Sequence, residues 1–375
     1  MTSLERMMAA IRGEAFDKYP FTNPYPYWYM MPHWPEFNGL TFAHMFQGSD
    51  EERLTCARDL HEKIGLDWLP VYGGELGADK RFEISVEDGM PVVLDKVEGT
   101  EQRWEEYPKD RPVTEPHYKD AAQVEAQAAP TTTEEFLAGH SFDMTKKMVE
   151  VFGDEVFLFA CAGAPFASCY YSLGFNRLFD AISNERSLLH AICERATEQA
   201  IQYLRASAQC GVHGVRINDF FCSAELISEK DYLELVWPYE KRIIDAMREA
   251  GVVSILENLG WVEPRMPHIA KLGIDCLQTE SSLKGYRNDV GEFRKVLGEE
   301  VCILGNSRIR QVIELGDEEV WRQDAIEQAR GIGEQRRYII CAGSPTTWPT
   351  KPDRLRRYGE FTQEVLAELV PPLGA

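Results

Sequence analysis

The chain has no apolar run approaching the roughly 18–20 residues that a helix needs to cross a bilayer. Its first nineteen residues hold no signal-peptide-like apolar region. A cytoplasmic protein is the expectation. There is no C-x-x-C pair, and the nine cysteines are scattered and odd in number, which argues against a disulfide framework. Positive charge is scarce: 40 Lys and Arg face 61 Asp and Glu, for a net charge of −21. Nucleic acid and anionic membranes reward basic surfaces, so neither is the expected partner. No G-x-G-x-x-G follows a strand-like run, which removes the usual dinucleotide fingerprint. Internal repeats and low-complexity tracts are absent as well.

What is present is alternation. At 375 residues and 44% hydrophobic content the chain can bury a large core. Strand-like runs at Glu155–Ala160, Val215–Asn218, Val252–Leu256, Ile274–Leu277, Val301–Leu304 and Tyr338–Ile340 are separated by helix-like stretches. Those helices read as Ser187–Cys210, Ser228–Ala250, Pro264–Lys271, about Asn288–Leu297, Asp317–Ile332 and Pro352–Leu369, with Ser187 and Ser228 as starts. Apolar runs joined by crossover helices imply parallel strands, and the regularity favours one α/β chain folded as a TIM-type (β/α)8 barrel over an open sheet. Leu66–Tyr72 reads as the first barrel strand despite Pro70. The aromatic, proline-rich stretch from Tyr19 to Phe37 and the polar stretch from Val97 to Thr133 read as a lid-like segment and a surface excursion, both within residues 1–133 of a single 1–375 domain.

In such a barrel the carboxyl ends of the strands share one mouth. Glu257, Glu280 and Cys341 each lie at or just past such an end, so two carboxylates and a thiol could converge there as metal ligands. The bland alternative for Glu257 is an ion pair with Arg216 or Arg308, for Glu280 a solvated or paired acid, and for Cys341 a buried thiol. Asp219 reads as catalytic or helix-capping, and Asn306 as orienting substrate or closing a turn.

The order of landmarks resembles the uroporphyrinogen decarboxylase superfamily: Gly163-Ala-Pro165-Phe166, Gly211 to Asp219, Ser228 with Trp237-Pro238-Tyr239, Glu257-Asn-Leu-Gly260, Leu304-Gly305-Asn306, and Cys341-Ala-Gly-Ser344 with Pro349 and Pro352. The resemblance implies a TIM-type barrel with its active site at the strand carboxyl ends. The porphyrinogen decarboxylases carry an Arg-containing segment near the N-terminus; here Asn23 to Trp34 has no Arg and many aromatics. Carboxylate-rich substrates need guanidinium clamps. The resemblance therefore points to the cobalamin-dependent methyltransferase branch, where His-x-Cys and a later Cys hold zinc.

In this chain Glu257 stands at the His position, Leu259 at the first Cys, Cys341 at the later Cys, and Glu280 at an acidic position near the metal. The reading that follows is a zinc-dependent methyltransferase, an O-demethylase component that moves a methyl group from a small methoxylated compound, such as an aryl methyl ether, to a corrinoid protein. Zinc would sit on Glu257, Glu280 and Cys341; Asp219 and Asn258 would be catalytic; Tyr27, Trp28, Trp34 and Asn306 would bind substrate. The alternatives are a metal-independent decarboxylase or lyase of the same fold, and a non-catalytic tetrapyrrole-binding member. The oligomeric state stays open, a homodimer included.

Overall fold

The apolar runs become parallel strands in the computed structural model, which describes residues 1–104, 113, 115–283 and 285–373. Ten strands are present among them: β1 (Trp68–Pro70), β2 (Phe82–Glu87), β3 (Met90–Asp95), β4 (Thr100–Arg103), β5 (Phe157–Ala162), β6 (Gly214–Asp219), β7 (Val253–Asn258), β8 (Cys276–Thr279), β9 (Cys302–Leu304) and β10 (Tyr338–Ile339). Seven of them form one parallel sheet in the order β1-β5-β6-β7-β8-β9-β10. Residues 20–22 close it. The Thr22 amide donates to the Ile340 carbonyl, the Ile340 amide to Pro20 and the Asp67 amide to Phe21, so this short segment is the stave between β10 and β1. The result is a TIM-type barrel of eight staves.

Pro70 is tolerated because it ends β1, where the following Val71 amide resumes bonding to Phe159. Several strands run further toward the mouth than their apolar runs predict. Glu257, Asn258, Gln278 and Thr279 all stay in register, Glu257 opposite Gln278 and Asn258 opposite Thr279. Polar residues continue a ladder when their side chains have partners inside, and these do. The helix expected over Ser228–Ala250 is two helices, Glu229–Leu235 and Trp237–Glu249, because Pro238 suits a helix start and not an interior. Ser228 caps the first, its hydroxyl accepting from the Asp231 amide at 3.2 Å, whereas Ser187 lies one residue inside its helix, Arg186–Gln209. The stretch expected at Pro264–Lys271 shortens to two turns, Glu263–Arg265 and Met266–Ile269.

The surface excursion starts earlier than the polar stretch suggested. β2, β3 and β4 form an antiparallel meander. Asp88 and Gly89, both at positive φ, make the two-residue turn between β2 and β3, as an Asp-Gly pair favours. Part of the Val97–Thr133 stretch lies outside the described residues. The core fills the barrel and the layer between strands and helices, with Trp68, Phe157, Phe159 and Tyr338 fully buried. Among the described residues no helix is long and apolar enough to cross a membrane.

Candidate active site

Side chains alternate along a strand, so one set of polar residues faces the barrel axis and the next set faces the helices. On the axis side, Arg216 and Asn218 of β6 meet Glu257 of β7 and Gln278 of β8. Glu257 is fully buried. Its carboxylate accepts from the Tyr25 hydroxyl at 2.7 Å and from Gln278 Nε2 at 3.1 Å, and Arg216 Nη1 lies 3.5 Å away. Asn218 Nδ2 donates in turn to the Tyr25 oxygen. Arg216 also donates to the Pro24 carbonyl at 2.7 Å and to Cys161 Sγ at 3.5 Å, and its guanidinium lies over the rings of Tyr25 and Phe159. Three buried polar atoms of this group are unpartnered, Asn218 Oδ1, Arg216 Nε and Gln278 Oε1.

Burial pushes the Glu257 carboxyl above the ordinary glutamate range, while the Arg216 charge and the Tyr25 hydrogen bond pull it back. Burial also raises the Tyr25 hydroxyl, and the Glu257 charge adds to that rise. The Arg216 guanidinium pays a desolvation penalty, which Cys161, Glu257 and Tyr25 outweigh, so it stays firmly charged.

Above this network a cavity of about 370 Å³ opens at the mouth. Its lining is Tyr25, Cys161, Ala162, Gly163, Ala164, Ala167, Ser168, Tyr171, Arg216, Asn218 and Phe220. The polar groups sit at one wall and the small apolar and aromatic groups at the others, as in small-molecule pockets. Arg216 is the one cation in this lining, and it is already engaged.

The residues singled out from sequence are distributed over three places. Glu257 and Cys341 are at the axis. Cys341 is buried, and its thiol donates to the Ala342 carbonyl at 3.4 Å. Burial pushes that thiol up to about 12; the Thr22 hydroxyl and the Arg216 charge work against the rise, and the Glu257 charge adds to it. Glu280 is turned to the loops: it accepts from the Gly260 amide at 2.9 Å and from the Tyr286 hydroxyl at 2.8 Å. Gly260 has φ +80, and a Cβ there would lie 2.6 Å from Ser223, so only glycine fits this close approach of loops.

Asp219 and Asn258 point to the helix side, away from the mouth. Asn306 ties loops together, donating to the Asn288 carbonyl at 2.9 Å and accepting from Gln328 Nε2 at 3.1 Å. Trp34 is core, Tyr27 packs edge-on to Tyr72 with centroids 5.3 Å apart, and Trp28 lies against Trp348. From that aromatic stretch the mouth lining takes Tyr25 alone. The alternation Arg216-Ile217-Asn218 was the available signal for the axis residues, since polar side chains two apart in an apolar strand share a face. Nothing local marked Tyr25 among so many aromatics.

As they stand, Glu257, Glu280 and Cys341 do not fit a zinc ion. Glu257 already has three partners, one of them a cation. The Cys341 thiol is turned to the Ala342 carbonyl. Glu280 is committed to a backbone amide and a tyrosine, and Leu259 offers no ligand. Among the described residues, the three side chains that bring Cys, Asp or Glu donor atoms within 4.8 Å of one another are Asp219, Cys222 and Glu240.

The uroporphyrinogen decarboxylase (URO-D) family profile matches residues 93–365. The chain belongs to that family. A uroporphyrinogen decarboxylase of Anaeromyxobacter sp. (strain Fw109-5) is 28% identical over 195 residues, 51% of this chain and 53% of that protein. A methylated-thiol–coenzyme M methyltransferase of Methanosarcina mazei is 24% identical over 201 residues, 54% of this chain and 51% of that protein. The matched stretch therefore spans about half the length of these curated relatives. A solved methyltransferase from Methanosarcina mazei superposes over 97% of this chain and 99% of that one, with TM-score 0.68 at 19% identity, a likeness of fold. Both chemistries of the family thus occur among the relatives, and the mouth has to discriminate between them.

Proposed function

We propose that this URO-D family member is a methyltransferase that takes the methyl group of a small methoxylated compound and passes it to a corrinoid carried by a partner protein. The observation that carries the reading is the lining of the mouth cavity: one arginine, already held by Glu257 and the Pro24 carbonyl, amid alanines, a glycine and aromatic rings. A substrate with several carboxylates would bring desolvated anions to a wall without free cations, at a cost of several kcal/mol. A small neutral ring suits the same wall.

The corrinoid acceptor supplies a reduced cobalt centre nucleophilic enough to take a methyl group. The residues of this chain serve the other product. When the carbon–oxygen bond of the donor breaks, its electron pair stays on oxygen, and that oxygen needs a proton or a hydrogen-bond donor. Tyr25 Oη, which lines the cavity, is the donor the wall offers. Glu257 accepts the Tyr25 hydroxyl proton in the resting site and so orients it; when Tyr25 gives that proton to the leaving oxygen it regains one from solvent. Asn218 Oδ1, buried and unpartnered, accepts from a hydroxyl on the donor. Together they favour an aryl methyl ether with a neighbouring hydroxyl, of the guaiacol type. Tyr171 and Phe220 flank the ring.

Calorimetric titration tests the pocket independently of turnover. A guaiacol-type ether should bind the wild-type protein, and Phe220→Ala should weaken it about five- to tenfold, the equivalent of roughly 1 kcal/mol for one aromatic contact. Uroporphyrinogen, a polycarboxylate, should give no heat of binding. Tight binding of uroporphyrinogen, with none of the ether, would sink the methyl-transfer reading and favour the decarboxylase alternative.

A further inference from the structure

Asp219 ends β6 with its side chain toward the helices, and Cys222 follows it by three residues. Glu240 comes from the helix Trp237–Glu249 and Asn258 from the end of β7. All four are fully buried. The ligand atoms of Asp219, Cys222 and Glu240 all lie within 4.8 Å of one another. No side chain partners the Asp219 carboxylate; it faces only the amides of Phe166 and Ala167 at the next helix start. Asn258 Oδ1 is 3.1 Å from the Cys222 sulfur. Glu240 is held from behind, by the Tyr232 hydroxyl at 3.0 Å and Asn258 Nδ2 at 3.4 Å. Arg265 donates to the Ile227 carbonyl at 2.7 Å and lies over the Tyr232 ring, and its Nε has no partner.

Two carboxylates and a thiol in an apolar layer, with an aspartate that no side chain partners and, among the described residues, no cation paired to either acid, form an expensive arrangement. An unsatisfied buried group costs about 1–3 kcal/mol, and more if charged. A divalent cation resolves all of it at once. We propose that Asp219, Cys222 and Glu240 bind a zinc-class ion, with Asn258 Oδ1 as a fourth donor. The thiolate excludes magnesium and calcium, which take oxygen ligands alone, and the carboxylates suit zinc or cobalt.

Binding expels the Cys222 thiol proton and any proton on the two acids to solvent. Tyr232 and the Phe166 and Ala167 amides are the outer groups that orient such ligands. The site is sealed from the mouth, so the ion is structural. It ties the ends of β6 and β7 to a helix, and the residues just before its ligands, Asn218 and Glu257, face the mouth. It is independent of the methyl-transfer reading, which uses no zinc.

The test is metal content and cobalt spectroscopy on the full chain. Protein made with zinc and purified without chelator should hold about one zinc per chain. Cys222→Ser and Glu240→Gln should each lower it roughly tenfold or more, whereas Cys341→Ser should keep it. Protein stripped of zinc and reloaded with cobalt(II) should show a near-ultraviolet thiolate-to-cobalt charge-transfer band, present in Cys341→Ser and absent in Cys222→Ser. Should the Cys222 variant fail to fold, the band in Cys341→Ser decides: its presence supports the site and its absence overturns it. Folded wild-type protein that takes up neither zinc nor cobalt would overturn the proposal. So would metal lost in Cys341→Ser and retained in Cys222→Ser.

Discussion

Arg216→Met is expected to destabilise the protein by about 3–5 kcal/mol at pH 8, the usual cost of leaving one partner of a buried ion pair alone. Arg216 and Glu257 are 5% and 0% exposed, so solvent screens neither. The substitution also strips the guanidinium from between the Tyr25 and Phe159 rings. The loss should depend on pH with a definite sign. Burial already raises the Glu257 carboxyl in the folded state, and Arg216 restrains that rise. Without Arg216 the folded-state value climbs further, so the variant folds with a proton that the unfolded chain releases at lower pH. Its stability relative to wild type should be best preserved near pH 5 and fall as pH rises through the new folded-state value.

Urea denaturation of both proteins at pH 5 and pH 8 checks this. A difference that is the same at both would mean that the arginine acts by packing alone. Arg216→Met combined with Glu257→Leu should recover part of the loss, since the stranded charge is gone.

Tyr25→Phe is expected to leave the fold nearly intact and to disable the chemistry. Stability should fall by about 1–2 kcal/mol, because Glu257 loses one of its donors. The rate of methyl transfer should fall about 100- to 10,000-fold, the range for a positioned proton donor. The nature of the donor separates a proton role from a packing role. An ether whose leaving oxygen is a much stronger acid, such as a nitro-substituted phenyl methyl ether, needs little help from a proton. For that donor the Tyr25→Phe loss should shrink toward tenfold or less. An equal loss for good and poor leaving groups would contradict the proton role.

The barrel was legible because its strands are apolar and its helices are long enough to show their period. The closing stave at residues 20–22 was not, since three residues amid prolines and aromatics carry no alternation and are fixed only by their neighbours Ile340 and Asp67. The strand ends at Glu257-Asn258 and Gln278-Thr279 lie two residues beyond the expected ones for a related reason. Their polar side chains look like loop until the partners across the barrel are known.

For the site, position along a strand predicted who reaches the mouth but not who turns into it. Glu257 and Cys341 face the axis. Asp219 and Asn258 occupy the same level and face the helices, because adjacent residues of a strand point to opposite sides. The Arg216 pairing was foreseeable as an ordinary ion pair, and it is a partner that a metal on Glu257 would have to displace. Tyr25 could not be told from its aromatic neighbours without the fold.

The most direct measurement follows the methyl group itself. A guaiacol-type ether carrying carbon-13 in its methoxy group, incubated with the protein and a reduced corrinoid-carrying protein, should transfer the label to the corrinoid, with one demethylated phenol formed per methyl moved, as read by carbon-13 NMR. Label that stays on oxygen for every methoxylated donor tried, while uroporphyrinogen loses carbon dioxide in the same preparation, would contradict the account.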